Sequence, residues 1–413
     1  SPKATKHLLG ELMKFQFEKT LPRGPYESIP MEKWQSWTWQ ASHALKNLSD
    51  FEKVYKLTNT EIEGFKNAEG AFQIRTTPYY ATLAHPLNAE DPLRLIQTPS
   101  FKELTPGYQQ MVDPLAEVKN SVTSRLLHRY PDRVLFLVTD FCTVYCRFCT
   151  RKRFTGNNKA FLTDEDFNKS IEYIKAHPGI REVILSGGDP LTLSDTQLER
   201  VLSEIRKIEH VEIIRIGTRM PVVNPYRVTE ELVKMMRKYS PVFLMTHFNH
   251  PKEITHEAAQ SVSAFVDHGI PVMNQMVLLN GINNHPAIIQ AVSRRMLYLR
   301  AKPYYMFQCD PSEGTDHLRT SIEDSLEIQK ELWGNLSGLA MPNLSVDVPN
   351  GGGKVGYSPN FEIQRSLEKR TYKGFDGVEA DYINPPANQI LKPQNIDQYI
   401  AEWELLKNAK SAH

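Results

Sequence analysis

Short apolar runs alternate with amphipathic stretches along the chain from about residue 133 onward. The runs are rich in β-branched and aromatic residues, as buried parallel strands are. Strands are predicted at Val134–Thr139, Glu182–Ser186, Glu212–Gly217, Val242–Thr246, Val272–Leu279 and Tyr304–Gln308. Helices are predicted between them at residues 163–177, 194–208, 229–239, 255–268, 285–300 and 321–333. The alternation predicts an α/β fold, a partial (β/α)6 barrel whose open side would admit a large cofactor and substrate.

The two ends of the chain follow other patterns. Residues 1–120 predict a helical N-terminal region, in which we interpret Trp34, Trp37 and Trp39 as core or interface anchors rather than a cofactor site. After Lys354 the chain reads as polar and loop-like to about Pro393, and an amphipathic helix near residues 395–408 would form a covering tail. We therefore predict three parts: residues 1–120, the barrel at 121–345, and a lysine loop with the tail at 346–413.

Charge and composition exclude several classes of protein. The 49 basic and 48 acidic residues give a formal net charge of +1, so no global field would attract nucleic acid or a membrane surface. No apolar stretch approaches the length of a transmembrane helix, and Ser1-Pro2-Lys3 does not resemble a signal peptide. Four cysteines without a sensible pairing favour a reducing compartment, and we expect a cytoplasmic protein.

Three of the four cysteines lie within eight residues: Cys142, Cys146 and Cys149. This C-x3-C-x2-C loop follows the first predicted strand and supplies three thiolates to a 4Fe–4S cluster, which leaves one iron open. Cys309 lies in a distant strand and is a poor fourth ligand. A structural zinc site would need four ligands, and a disulfide would leave one thiol over. The loop is typical of radical S-adenosylmethionine (SAM) enzymes, in which SAM chelates the open iron.

Two glycine-rich segments are further candidates. Gly187-Gly188-Asp189 directly follows the second strand, where a simple βα turn is the common interpretation and close approach to SAM is the functional one. Gly351-Gly352-Gly353-Lys354 offers a lysine that can form a Schiff base with an aldehyde cofactor. The phosphate-loop pattern is absent there, since Val355 follows the lysine. A flexible surface loop is an equally good interpretation of the spacing alone.

Many separate motifs resemble the lysine 2,3-aminomutase family, whose members use a 4Fe–4S cluster, SAM and pyridoxal 5′-phosphate (PLP) together. The resembling segments run in order from about residue 30 to residue 375. They include Trp34–Gln40, His128–Arg133, Cys142–Gly156, Leu185–Pro190, Arg215–Arg219, Thr246–Pro251, Asn274-Gln275, Gln308–Asp310, His317–Thr320 and Asp347–Lys354. The resemblance implies an isomerase with a barrel of the radical SAM type. It would interconvert L-lysine and β-lysine through a 5′-deoxyadenosyl radical.

The resemblance also implies roles for individual residues. The cluster ligands would be Cys142, Cys146 and Cys149. The SAM contacts would be Gly187, Gly188, Asp189, His247 and Gln275. The PLP contacts would be Lys354 through its amine and Arg129, Arg133 and Arg219 through the phosphate, although these arginines could equally be surface ion pairs.

Three residues would bind the substrate. The resemblance assigns its α-carboxylate to Arg151 and its distal ammonium to Asp310 and Asp347. Two carboxylates would repel an acidic side chain, so the resemblance implies a cationic substrate. The alternative is that both aspartates only cap backbone turns, in which case they would not bind the substrate. Pro311 and Glu313 stand beside this site and leave arginine or another basic amino acid open as the substrate.

Departures from the family pattern shape the remaining expectations. His285 stands near the position of a zinc-binding cysteine in some members, and no cysteine follows Cys309, so we expect no structural zinc. The expected partners are a small basic amino acid, a reducing electron donor of the flavodoxin or ferredoxin type, and further copies of the chain in a homo-oligomer. The rival hypotheses are a mutase for another basic or protein-bound amino acid, and a non-catalytic iron–sulfur or PLP-binding protein.

Overall fold

A nine-stranded sheet forms the centre of the computed structural model, which describes residue 17 and residues 22–68, 72–105, 107–156 and 161–408. The spatial order of the strands follows the sequence. They are β1 (Leu126–Tyr130), β2 (Arg133–Thr139), β3 (Glu182–Gly187), β4 (Ile213–Gly217), β5 (Val242–Thr246), β6 (Val272–Leu278), β7 (Ala301–Gln308), β8 (Asn343–Val348) and β9 (Gly353–Gly356). Strands β2 to β8 are parallel, and β1 and β9 pair antiparallel at the two edges. The predicted α/β barrel is confirmed, with β2 to β7 as the six predicted strands.

Strand β8 adds a seventh parallel strand that the sequence pattern did not predict. Its residues Asn343–Val348 alternate polar and apolar side chains, and only Leu344 and Ser345 are buried. The apolar run that marks the other parallel strands is therefore missing. Because β8 pairs with β7 on one side and β9 on the other, the main sheet continues through the boundary predicted between residues 345 and 346.

Six longer helices alternate with the parallel strands, as predicted. They are α7 (Asp164–Ala176), α8 (Asp195–Arg206), α10 (Glu230–Arg237), α11 (His256–Asp267), α12 (Pro286–Tyr298) and α13 (Ile322–Leu332). Ser or Thr side chains cap five of them, for example Ser194, which accepts a hydrogen bond from the backbone N–H of Gln197 at 3.2 Å. Each such cap contributes about 1 kcal/mol. In α8, Leu198, Val201, Leu202 and Ile205 lie on one buried face against the sheet.

The N-terminal region consists of short helices packed on the barrel. They are α1 (Met31–Trp34), α2 (Trp37–Ser42), α3 (Leu48–Glu52), α4 (Asn59–Ala68), α5 (Pro78–Thr82) and α6 (Pro92–Gln97), and a further short helix, α9 (Met220–Val223), follows β4. Trp34 is buried in the core, as predicted. Hydroxyl groups tie α5 to the barrel: Thr77 donates to the carbonyl of Val223 at 2.6 Å, and Tyr79 lies 2.5 Å from the hydroxyl of Thr255. This contact places the region beside the carboxyl ends of the strands.

The segment after Lys354 contains a second sheet, so the prediction of a loop-like stretch to Pro393 was wrong. Strands β10 (Glu362–Arg365), β11 (Lys369–Lys373) and β12 (Glu379–Ile383) form an antiparallel meander. Its strands are held by polar pairs such as Lys369 with Asp381, whose side chains are 2.7 Å apart, and all of β12 is exposed. Strands β10 and β11 each contain a single apolar or aromatic residue and lack the alternation that indicates a strand in a sequence.

The predicted C-terminal helix is present as α14 (Asp397–Asn408). None of its residues is buried, and Trp403 is 60% exposed, so this helix does not cover the barrel of its own chain. Among the described residues, no helix combines the length and the apolar character needed to cross a membrane.

Candidate active site

A cavity of about 740 Å³ lies inside the curled sheet, with walls from β1 to β9 and from the segment around Glu117. Six of the predicted site residues line it: Arg129, Arg133, Arg151, Gln275, Asp347 and Lys354. Two of them, Arg129 and Lys354, are more than 200 residues apart in the sequence. The structure therefore brings three of the predicted PLP residues and two of the predicted substrate residues into one cavity.

Lys354 enters the cavity from the β8–β9 hairpin. Asp347 and Lys354 are directly opposite each other in the antiparallel pair, and the Lys354 Nζ lies 3.3 Å from each carboxylate oxygen of Asp347. The same ammonium lies 4.7 Å from the centre of the Phe307 ring, a cation–π distance. The backbone N–H of Lys354 donates to the hydroxyl of Tyr130 at 3.1 Å. The amine is thus presented to the cavity on a paired strand rather than on a flexible surface loop.

The glycines before Lys354 allow Arg129 to approach the hairpin closely. Gly351 and Gly353 have φ values of +80° and +86°, which side chains rarely adopt. A Cβ atom at either position would lie 3.0 Å from a guanidinium nitrogen of Arg129. The guanidinium of Arg133 lies 3.9 Å from the ring centre of Tyr130, on the same cavity wall. An amine beside two guanidinium groups is a suitable donor set for an aldehyde that carries a phosphate, as PLP does.

Arg151 is held by a carboxylate that the sequence reading did not identify. Its Nε donates to Glu117 Oε1 at 2.8 Å, its Nη1 donates to the Ser186 hydroxyl at 3.1 Å, and its backbone N–H donates to the Cys149 sulfur at 3.3 Å. Burial alone would lower the pKa of Arg151, but the charge and the hydrogen bond of Glu117, together with Cys149 and Cys142, outweigh burial and raise that pKa. Arg151 is therefore a permanent cation between the cavity and the cysteine loop. Glu117 lies in a loop whose sequence carries no spacing signal for this role.

Asp310 lies just after β7, half-buried, and does not itself line the cavity. Burial and the nearby charge of Asp347 raise the pKa of Asp310 to about 7, while Lys354 and Arg319 oppose this rise. The two aspartates are thus close enough for their charges to interact. Because the nearby cations neutralise these two carboxylates only in part, this place favours a further positive charge.

The cysteine loop carries three free, half-buried thiols, Cys142, Cys146 and Cys149. Burial raises the pKa of Cys142 and of Cys149, and the other thiols of the loop add to the rise, so thiolates here need a compensating positive group. In the described ranges, no set of three or more His, Cys, Asp or Glu side chains is arranged to hold a single metal ion. Three thiols on one loop are instead a donor set for separate irons of a cluster.

A buried ion pair anchors this loop to the N-terminal region. Arg147, between two of the cysteines, donates to Glu103 at 2.8 and 2.5 Å, and both side chains are at most 2% exposed. Burial alone would raise the pKa of Glu103, but Arg147 lowers it below the ordinary value. The backbone N–H of Arg147 also donates to the carbonyl of Ile96 at 2.9 Å. The loop geometry therefore depends on residues far upstream of the barrel.

The Gly187-Gly188 turn is pressed against the cysteine loop. A Cβ atom on Gly187 would lie 2.0 Å from the carbonyl oxygen of Thr139, and one on Gly188 would lie 2.2 Å from that of Phe141. Both positions thus require glycine. The buried carboxylate of Asp189 accepts hydrogen bonds from the Leu191 N–H at 3.0 Å, the Thr218 hydroxyl at 2.6 Å and the Arg219 N–H at 2.7 Å. Both oxygens of Asp189 hold protein groups, and its position gives no support to a direct contact of this carboxylate with SAM.

The surroundings of His247, unlike those of Asp189, fit a contact with SAM. Burial and the adjacent Arg219 lower the pKa of His247 to about 3, so its imidazole is neutral. Its ring lies 5.4 Å from that of Phe148 in the cysteine loop, and its Nε2 atom is buried without a hydrogen-bond partner among the described residues. An unsatisfied buried nitrogen beside the cysteine loop fits a ligand such as SAM. Gln275 lies on the cavity wall in β6, the strand that neighbours β5, which His247 directly follows.

Arg219 does not lie with the other predicted PLP residues. Its side chain is directed to the cysteine loop, where Nη1 donates to the Cys146 sulfur at 2.8 Å and Nη2 donates to Glu253 at 2.7 Å. Arg129 and Arg133 line the cavity, and Arg219 is not among its lining residues. This position gives no support to a contact between Arg219 and the PLP phosphate.

Comparisons with known proteins point to one family of enzymes. The profile of the Radical SAM superfamily matches residues 136–289, and a profile named Lysine-2,3-aminomutase matches residues 329–412. The L-lysine 2,3-aminomutase of Bacillus subtilis (strain 168) is 42% identical over 91% of this chain and 79% of its own length. That of Clostridium subterminale is 41% identical over 87% and 86%, respectively. The glutamate 2,3-aminomutase of Clostridioides difficile (strain 630) is 37% identical over 87% and 85%.

Proposed function

This chain belongs to the lysine 2,3-aminomutase family of radical SAM enzymes, and from that premise we propose that it interconverts L-lysine and β-lysine. Membership makes the protein an isomerase and implies a 4Fe–4S cluster and SAM. It does not decide the substrate, because a glutamate 2,3-aminomutase is also similar over most of the chain. The choice between a basic and an acidic amino acid therefore rests on the charges in the cavity.

The observation that supports lysine is the pairing of Asp347 with an ammonium group. In the structure the Lys354 Nζ occupies this place, 3.3 Å from both carboxylate oxygens, with the charge of Asp310 nearby. The distal ammonium of a lysine substrate carries the same charge and the same hydrogen-bond donors. A glutamate side chain would instead face the carboxylate of Asp347, with the charge of Asp310 nearby, in a half-buried site where like charges repel strongly.

At the other end of the substrate, Arg151 would bind the α-carboxylate. Its backbone N–H contacts the Cys149 sulfur, so a carboxylate held there lies next to the cysteine loop. Glu117 and Ser186 fix the guanidinium, which limits the loss of side-chain entropy when the substrate binds. A substrate with a carboxylate at one end and a cation at the other would thus be oriented along the cavity.

The residues present fit the cofactors of the family. Lys354, Arg129 and Arg133 would hold PLP, which supplies a carbonyl group that binds the substrate amine and an electron system that stabilises an adjacent radical. Cys142, Cys146 and Cys149 would hold the cluster, which together with SAM supplies the radical that removes hydrogen. The protein side chains would orient the substrate, and the aromatic rings of Tyr305 and Phe307, which line the cavity, would keep water from the reacting carbons.

The substrate assignment is tested with Asp347→Asn and Asp310→Asn in anaerobically reconstituted protein. Removing one partner of a buried charge pair costs about 3–5 kcal/mol, so we expect kcat/KM for lysine to fall by at least about 100-fold. PLP and SAM binding, followed by absorbance, should change much less. Asp267→Asn, at an exposed carboxylate paired with Arg300, is the control and should retain full lysine turnover.

The result that would overturn the assignment is near-normal lysine turnover in both asparagine variants. Asparagine caps backbone turns about as well as aspartate, so that result would reduce the aspartates to turn caps. Turnover of glutamate by the unchanged protein would also contradict the proposal, because it would show that the carboxylates do not exclude an acid.

A further inference from the structure

Arg219 lies between a predicted cluster ligand and a buried carboxylate. One terminal nitrogen of its guanidinium donates to the Cys146 sulfur at 2.8 Å, and the other donates to Glu253 at 2.7 Å. We propose that Arg219 is a positioning residue of the iron–sulfur cluster, which holds the Cys146 sulfur by a charge-assisted hydrogen bond and raises the reduction potential of the cluster. This inference rests on the proposed function, in which Cys146 binds the cluster.

The guanidinium is held in a fixed position. Glu253 is completely buried, and it also accepts hydrogen bonds from the Tyr80 hydroxyl at 2.5 Å and from the Asn249 N–H at 2.6 Å. The Nε of Arg219 donates to the carbonyl of His247 at 3.2 Å. Each nitrogen of the guanidinium therefore has a partner in the fold. Because these hydrogen bonds already fix the guanidinium, it can donate to the sulfur without a further loss of side-chain freedom.

The backbone of Arg219 is fixed by the same turn that touches the cysteine loop. Asp189 accepts from the Arg219 N–H at 2.7 Å, and the Asp189 N–H donates to the carbonyl of Phe141 at 2.9 Å. Phe141 directly precedes Cys142. The two ends of Arg219 are thus joined to the cysteine loop, one through Asp189 and one through Cys146, which sets the distance between the guanidinium and the sulfur.

This contact has an electrostatic consequence for electron transfer. When a [4Fe–4S]²⁺ cluster takes up one electron from a reductant it becomes [4Fe–4S]⁺, and the cluster with its thiolates gains one negative charge. A guanidinium at a ligand sulfur stabilises the added charge, and hydrogen bonds to the sulfurs are known determinants of cluster potential. Glu253 offsets part of this effect. Arg219 and Glu253 should therefore shift the potential in opposite directions.

The test is a redox titration of the reconstituted cluster, with dithionite as the electron donor, followed by electron paramagnetic resonance without SAM or substrate. We expect Arg219→Gln to make the one-electron reduction about tenfold less favourable, which is about 59 mV lower in midpoint potential. Glu253→Gln should raise the potential, and Arg219→Lys, which keeps the charge, should give an intermediate value. Iron and sulfide contents establish that each variant carries the cluster.

Arg94→Gln is the matched control. Arg94 is also fully buried, donates to the carboxylate of Glu61 at 2.7 Å and lies over a tyrosine ring. Among the described residues, however, its side chain donates only to Glu61 and to backbone carbonyls and to no cysteine. Its loss should leave the potential unchanged. If the midpoint potential of Arg94→Gln fell as far as that of Arg219→Gln, the proposal would be overturned. The shift would then follow from a general destabilisation of the fold.

Wild-type potentials in cluster-loaded Arg219→Gln and Glu253→Gln would also overturn it. If Arg219→Gln cannot be loaded with the cluster, wild-type potentials in both Glu253→Gln and Arg219→Lys would overturn the proposal instead. A loss of SAM affinity with unchanged potential would assign Arg219 to SAM instead. Failure of the unchanged protein to take up any cluster would contradict the proposed function itself, independently of Arg219.

Discussion

Gly353 shows how one residue sets the form of the proposed PLP site. Its φ of +86° places the chain in the left-handed region, and the missing side chain leaves room for Arg129. A larger residue would have two separate costs: strain in the backbone and displacement of the guanidinium. The two costs can be distinguished because another glycine of the chain, Gly281, has a similar φ of +74° and no neighbour within 4 Å of its Cβ position.

We therefore predict that Gly353→Ala weakens PLP binding and that Gly281→Ala does not. Both substitutions should lower the free energy of unfolding by about 1–2 kcal/mol through backbone strain. Only Gly353→Ala would also move Arg129, and its PLP affinity should fall at least about tenfold. Absorbance titration with PLP and urea unfolding measure the two effects. Equal PLP affinity in both variants would show that Arg129 is not a phosphate ligand.

Asp310 gives a prediction about pH. Its pKa in the folded protein is about 7, above the ordinary value of 3.8. The folded state therefore holds this proton more tightly than the unfolded state, and the contribution of Asp310 to stability falls as the pH rises from about 4 to about 7. The difference in unfolding free energy between Asp310→Asn and the unchanged protein should grow across this window and level off above it. A difference that stays constant from pH 4 to pH 8 would contradict the raised pKa.

At the scale of elements, the cysteine loop depends on a short segment of the N-terminal region. Phe101–Leu104 forms a single 3-10 turn, and its Glu103 makes the buried pair with Arg147 inside the C-x3-C-x2-C loop. The loop has little regular structure of its own. Its shape is therefore imposed by the ion pair and by backbone hydrogen bonds to neighbouring segments of the same chain.

We predict that Glu103→Gln destabilises the protein and impairs cluster assembly. Leaving Arg147 as an unpaired buried charge should lower the free energy of unfolding by about 3–5 kcal/mol. The iron content after reconstitution should fall as well, because the loop loses its anchor. Glu165→Gln removes an exposed pair with Lys169, which solvent screens, and serves as the control. Unchanged stability and full iron content in Glu103→Gln would show that the backbone contacts alone hold the loop.

The predictability of each element followed the strength of its local pattern. Strands β2 to β7 and the helices between them were found because their apolar spacing is strong. Strand β8 was missed because its apolar residues alternate with polar ones instead of forming a run, and β10 and β11 were missed because polar residues dominate them. The cysteines, Lys354 and Asp347 belong to short motifs and could be identified. Glu117 and Glu253 could not, because each meets its arginine across at least 34 residues of sequence and only the fold brings the pairs together.

At the scale of the whole molecule, the cavity and the C-terminal meander are separate. All residues that line the cavity precede residue 355, whereas β10 to β12 and α14 are largely exposed. Tyr357 links this segment to the barrel through hydrogen bonds to Gln308 and Ser325, and farther along the chain Phe361 and Phe375 pack against Trp333 and Gly334, just after α13. The meander and helix thus contribute little to the inner wall of the site in a single chain.

A chain that ends at Asn360 should accordingly still bind PLP at Lys354. We expect borohydride to fix PLP to the peptide that contains Lys354, with the same stoichiometry as in the full chain. The mass of the labelled peptide provides the measurement. Extending the truncation to Val355 removes the Tyr357 contacts and should lower the stoichiometry. Loss of labelling in the longer of these two chains would show that the C-terminal segment supports the cavity, for example from another copy of the chain.

The direct pairing of Asp347 with Lys354 across the β8–β9 hairpin has a consequence for changes in the sequence. In the proposed site, the group that binds the substrate and the group that binds PLP lie within one segment of eight residues. A one-residue shift in the register of this pair would turn one of the two side chains to the opposite face of the sheet. Exchange of the residue at position 347 would therefore alter substrate choice and leave Lys354 in place, whereas such a register shift would separate the two groups.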